Sequence, residues 1–154
     1  MEDDKGFLMK MLYESIFIEK EKKPPMDELL NSNELKKYHQ EWGRTGDKAL
    51  MAVDHNGTPI GAVWFRLFTK KEKSYGFVDE QTPEIGIAIE ESVRNKGLGT
   101  QLMNSIIEEA KKDGYKTISL SVDMKNEHAV HLYQKLSFAV MHSDKTSYTM
   151  LLHL

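Results

Sequence analysis

The residues whose types and spacing most plainly invite chemistry are Arg94-Asn95-Lys96-Gly97-Leu98-Gly99-Thr100. An apolar run precedes them and an amphipathic run follows, so they read as a glycine-rich turn opening a helix. The first backbone N–H groups of a helix lack intrahelical acceptors, and the helix dipole adds positive potential beside them. Gly97 and Gly99 remove Cβ atoms that would hold an anion away from those amides. Arg94 and Lys96 add full charges, the arginine as a fork suited to phosphate oxygens. The local chemistry is that of a phosphate cradle. A Gly-x-Gly turn can also be no more than a tight turn, so the flanking elements must decide.

Those elements alternate. Asp3 or Asp4 is placed to cap a first helix, with Phe7, Leu8, Met11, Leu12 and Ile16 at helical spacing. Pro24-Pro25 interrupts it, and the spacing predicts a second helix over 26–39 carrying Leu29, Leu30, Leu35 and Tyr38. Strands follow over 49–53 and 60–68, joined through Asn56-Gly57, a dipeptide that tolerates the positive φ angles of hairpin turns. Glu84 to Ile89 is the next strand and Gly97 to Lys112 a long helix, closed by Asp113-Gly114. A strand over 118–122, a helix over 126–136 and strands over 138–141 and 148–152 complete the pattern. This order predicts one α/β domain over residues 1–154, with a mixed sheet and a βαβ unit around the cradle.

Composition narrows the classes. The 154 residues suit one domain with a real core. A formal net charge of −3 argues against a nucleic-acid partner, which clustered excess Lys and Arg would favour. The absence of cysteine excludes disulfides, thiolate metal sites and a cysteine nucleophile. No signal peptide and no run long enough to span a bilayer is found, so the expectation is a cytoplasmic protein without a membrane partner. The six histidines form no metal-ligand pattern, and no metal is expected.

Ligands of βαβ folds bind at the carboxyl ends of the strands, where the cradle lies. A Rossmann dinucleotide site needs a third glycine where this chain has Leu102, and a Walker loop needs Gly-Lys-Ser/Thr. Neither fits. The stretch from Glu84 to Phe138 does resemble the GCN5-related N-acetyltransferase (GNAT) superfamily. Arg94-x-x-Gly97-x-Gly99, after the Ile87-Ala88-Ile89 strand, is similar to that family's pyrophosphate motif. Ser119 to Val122, Asn126, Ala129, Leu132-Tyr133 and Leu136-Ser137-Phe138 resemble its second motif, one helix and one strand downstream. The family's usual first strand has no counterpart before the first helix, so that sheet edge is either missing or replaced.

The resemblance implies a single-domain GNAT-like fold: a mixed, mostly antiparallel twisted sheet with a central parallel βαβ unit and flanking helices. It also implies acetyl-CoA as the acyl donor. The backbone of Ile87, Ala88 and Ile89 would pair with the pantetheine arm, and Asn95, Lys96, Gly97, Leu98, Gly99 and Thr100, with Arg94, would hold the pyrophosphate. Asn126 would touch the arm while also capping its helix. Tyr133 is the implied general acid and Glu84 the candidate general base, directly or through water. The alternatives remain a core tyrosine on an amphipathic helix and a solvated strand-end acid. The acceptor is expected to be a primary amine on a small molecule or peptide, and a homodimer is a further expectation. Trp42, Phe65, Arg66, Phe68, Tyr75 and Phe77 border either the acceptor cleft or the core. A non-catalytic coenzyme A-binding sensor is the competing function, and a nucleotide-binding regulator a third.

Overall fold

A computed structural model describes residues 2–154, and of Glu2 and Asp3 the backbone only. In chain order the elements are α1 (Glu2–Ser15), α2 (Met26–Leu30), β1 (Lys48–Val53), β2 (Pro59–Arg66) and β3 (Glu84–Ile89). Then come α3 (Leu98–Lys112), β4 (Thr117–Asp123), α4 (Glu127–Lys135), β5 (Ala139–Ser143) and β6 (Ser147–His153). Short 3₁₀ turns occupy Lys36–Tyr38 and Glu91–Val93.

The strands form one six-stranded sheet in the order β1-β2-β3-β4-β6-β5. All pairs are antiparallel except β3 with β4, whose connection through α3 gives the βαβ unit. Period-two alternation sends side chains to both faces. Val63, Phe65 and Ile85 pack under Leu102, Met103, Ile106, Ile107 and Ala110 of α3. Ala62, Trp64 and Ala88 pack under Leu8, Met11 and Leu12 of α1 and Leu30 of α2. Gly6 costs α1 about 1 kcal/mol relative to alanine, but burying Leu8, Met11 and Leu12 returns about 1.5–3 kcal/mol each. Tertiary packing makes that helix. Lys23 closes its end, donating to the carbonyls of Tyr13 (2.7 Å) and Ile16 (2.9 Å).

The first two helices differ from the sequence expectation. α1 already runs from Glu2, so Asp3 and Asp4 fall within its first turn instead of capping it, and the side chain of Asp3 lies outside the described residues. The helix expected over 26–39 stops at Leu30. The Asn31 amide group donates to the Asp27 carbonyl (2.7 Å) and the Ser32 hydroxyl to that of Leu29 (2.7 Å). Short polar side chains that bond the preceding turn compete with helix propagation. Leu35 and Tyr38 therefore reach the core from a turn.

The decisive feature for function is a splay. β2 and β3 pair from Gly61↔Ile89 to Arg66↔Glu84, and β4 and β6 pair from Thr117↔His153 to Asp123↔Ser147. Between them β3 and β4 share one register position, Glu84↔Ser119. From that joint the two parallel strands diverge, leaving the β4-facing edge of β3 open toward Ile89.

Candidate active site

The open edge of β3 runs directly into the start of α3. Gly97 is the N-cap of α3 and takes φ 83°, a left-handed conformation that side-chain-bearing residues adopt at a cost. A Cβ there would meet nothing within 4 Å, so glycine is needed for its backbone angle rather than for space. Asn95 is also left-handed (φ 64°). Successive amides turned this way form an anion-accepting concavity. Among the described residues no protein acceptor engages the amides of Asn95 to Thr100. Gly99 also lies where α3 comes near β3 and α4: a Cβ there would sit 3.4 Å from the Ile89 and Leu132 side chains, an ordinary contact. Arg94 is exposed, and its Nε donates to the Ile89 carbonyl (3.0 Å), which holds the guanidinium at the end of the open strand.

A cleft of about 1530 Å³ follows the splay. Glu84, Ile87, Ala88, Ile89, Arg94, Asn95, Gly97, Gly99, Thr100, Asn126 and Tyr133 all line it, whereas Lys96 and Leu98 do not. Lys96 is exposed, and Leu98 packs against the α3 core cluster. Ile87 and Ile89 lean on that same cluster while Ala88 faces α1, so side chains serve packing and the main chain is left for the cleft.

Glu84 lies at the joint, 7% exposed. Its Oε1 accepts the Gly76 N–H at 3.1 Å, while Oε2 has no hydrogen-bond partner. The Ser74 hydroxyl, also buried, has none either. Burial pushes the Glu84 carboxyl up to about 7. The hydrogen bond from the Gly76 amide, the nearness of the Ser74 and Tyr38 hydroxyls, which make no bond of good geometry to it, and the charge of Lys37 pull it part of the way back. An unsatisfied buried polar group costs about 1–3 kcal/mol, so a fold keeps one where it serves something.

The chain from Ser74 to Phe77 straps this joint. Tyr75 N–H donates to the Tyr38 hydroxyl (2.7 Å), the Ser119 hydroxyl donates to the Gly76 carbonyl (2.8 Å), and the Thr149 hydroxyl donates to the Tyr75 carbonyl (3.4 Å). A Cβ on Gly76 would lie 2.7 Å from Glu84 Oε1 and 2.9 Å from the Leu120 backbone, so only glycine lets the strap reach β4. Tyr38 stacks on Tyr75 with centroids 6.2 Å apart.

Tyr133 of α4 is buried and packs obliquely on Phe138 at 6.0 Å. Burial alone pushes its phenol up to about 12, so the proton stays on it at neutral pH. Asn126 is the N-cap of α4: its Oδ1 accepts the Ala129 N–H (3.4 Å), which leaves the side-chain amide N–H groups for the cleft. Among the described residues no group of three or more His, Asp or Glu is arranged to hold a metal ion.

The aromatic set divides. Phe65 is core, Trp42 lies beneath the Arg66 guanidinium at 5.2 Å, and Phe68 and Tyr75 line the cleft. Sequence reasoning missed Tyr38, Ser74 and Ser119 around Glu84. The one available signal was Gly76 between two aromatics, a mark of close backbone approach.

A splayed parallel pair whose open edge leads to a glycine-set helix start has the shape that suits an extended arm ending in phosphates. The comparison with known families agrees, and the chain belongs to the Acetyltransferase (GNAT) family, whose signature matches residues 9–138. It is 43% identical over 65 residues to an uncharacterised N-acetyltransferase of Bacillus subtilis, covering 42% of each chain. It is 31% identical over 112 residues to an uncharacterised N-acetyltransferase of Methanocaldococcus jannaschii, covering 64% of this chain and 46% of that one. The matches thus span less than half the length of these curated relatives. Among solved structures, an N-acetyltransferase from Staphylococcus aureus shares the fold with a TM-score of 0.71 at 21% identity, over 99% of this chain and 94% of that one. A Salmonella typhimurium protein described as an acetyltransferase, solved with its cofactor acetyl-CoA, does so with a TM-score of 0.72 at 18% identity, over 100% and 90%. Among the described residues no helix is long and apolar enough to cross a membrane.

Proposed function

We propose that this chain, acting as one domain over residues 1–154, transfers an acetyl group from acetyl-CoA to a primary amine on a small molecule or peptide. The observation that carries the reading is the continuity of the open β3 edge with the unengaged amides at the start of α3. An arm with its own amides fits the first, and a pyrophosphate fits the second. The main chain of Ile87, Ala88 and Ile89 would hold the arm, with Asn126 donating from the opposite wall. The amides of Asn95 to Thr100 and the Arg94 guanidinium would hold the phosphates, with Lys96 contributing charge from outside the cleft.

Bound there, acetyl-CoA supplies an acyl group as a thioester, whose carbon–sulfur bond breaks as the acceptor's carbon–nitrogen bond forms. Glu84 Oε2 takes the proton lost by the acceptor nitrogen, directly or through a water. A carboxyl pushed up to about 7 is matched to proton removal near neutral pH. The Tyr133 hydroxyl delivers a proton to the leaving sulfur, and its raised value keeps that proton available.

Release of free coenzyme A in the presence of polyamines, aminoglycosides, amino acids and peptide N-termini tests the activity. Turnover with any of them, lost on omission of the amine, is the expected result. Acetyl-CoA binding with silence across the panel would instead favour a coenzyme A sensor.

A further inference from the structure

Glu84 shares its burial site with two hydroxyls the reaction scheme has not used. Tyr38 comes from the 3₁₀ turn after α2 and Ser74 from the strap, whose adjacent Tyr75 and Gly76 amides bond Tyr38 (2.7 Å) and Glu84 (3.1 Å), so two separate segments converge on one carboxyl. The Tyr38 oxygen already accepts the Tyr75 N–H, which leaves its own proton free to turn toward Glu84. The Ser74 hydroxyl has no partner, and neither does Glu84 Oε2. Glu84 and Tyr38 both line the cleft, and the two unpartnered atoms lie buried just beneath its wall.

The other charged or titratable groups around Glu84 are accounted for. Lys37 acts from the same turn as Tyr38 and lies over the ring of Tyr75 on the strap (5.7 Å). Arg66, opposite Glu84 on β2, is engaged by Asp47 through both carboxylate oxygens at 2.8 Å. On β4 the neighbour is Ser119, whose hydroxyl is spent on the Gly76 carbonyl. Close, uncommitted donors for the Glu84 anion are therefore Tyr38 and Ser74.

We propose that Tyr38 and Ser74 are positioning residues for the base: their hydroxyls hold Glu84 as a carboxylate in one orientation at the cleft wall. This rests on the reading of Glu84 as the base. Donors to an anion favour it, so removing either must make Glu84 harder to ionise.

The test compares kcat/KM against pH for the parent, Tyr38→Phe, Ser74→Ala, Ser74→Thr and Glu84→Gln, using whichever amine of the panel turns over. The parent should lose activity as pH falls below about 7. In Tyr38→Phe and Ser74→Ala that limb should move up by about half a unit or more, and Ser74→Thr should restore it. The KM for acetyl-CoA should stay within about twofold, a split that a general loss of structure does not give. A limb at the parent position in both variants, with Glu84→Gln lacking it, overturns the roles of Tyr38 and Ser74 and leaves the base in place. A limb that persists in Glu84→Gln overturns the base and this inference together.

Discussion

Arg66 and Glu84 sit opposite each other across β2 and β3, with 1% and 7% of their surfaces exposed. The fold treats these two charged side chains in opposite ways. Arg66 makes a two-pronged contact with Asp47 and donates to the carbonyls of Lys37 (2.9 Å) and Gln40 (2.8 Å), with Trp42 against its face. Its donors are used within the protein, and it ties the turn after α2 to the sheet. Glu84 has one backbone donor, a vacant oxygen and an unpartnered hydroxyl beside it. A buried charge with full partners is structural, whereas one left incomplete at a cleft floor has capacity for a ligand.

Breaking the Arg66 side should give the largest effect. Arg66→Met leaves Asp47 buried without its partner, and loss of one member of such a pair costs about 3–5 kcal/mol. Denaturant unfolding should record it as a fall in midpoint, or the variant should fail to accumulate as folded protein.

Glu84→Gln should do the reverse to stability while removing activity. The folded value of about 7 lies above the 4.5 of the free side chain, so the fold retains the proton. Stability from this group is fully present below about 4.5 and is lost as pH rises to about 7. The glutamine variant escapes that loss, so it should unfold up to about 3 kcal/mol harder than the parent at pH 8 and no harder at pH 4. Its turnover at pH 7 should fall by at least about 10²-fold.

Tyr133→Phe sharpens the contrast from another buried polar group at the cleft. Its kcat should drop at least about tenfold while acetyl-CoA affinity, read by calorimetry, is little changed. Gly97→Ala should give the smallest change, about 1–2 kcal/mol of strain at φ 83°. That strain should weaken acetyl-CoA binding more than it lowers kcat.

Much of this was legible in the residues. Strand β3 stands at the boundaries its apolar run suggests, and the Asn56-Gly57 hairpin, α3 with its Asp113-Gly114 end, and Asn126 as a cap follow local rules that tertiary packing did not override. The short α2 was not legible, because leucines at helical spacing hid the competition from Asn31 and Ser32. The surroundings of Glu84 were not legible either. Tyr38 lies 46 positions earlier in the sequence and Ser119 35 positions later; Ser119 arrives through the single β3–β4 register position and Tyr38 through its bond to the strap. Local pattern carries no information about such long-range convergence. Lys96 shows the converse, since a charge beside the cradle in sequence is exposed and does not line the cleft in space.

The most direct test of the account is the pH dependence of kcat/KM for the parent and for Glu84→Gln, measured with the same amine and saturating acetyl-CoA. The account predicts an acid limb near pH 7 in the parent that is absent from the residual activity of the variant. The same limb in both proteins would contradict it and would return Glu84 to a buried structural acid.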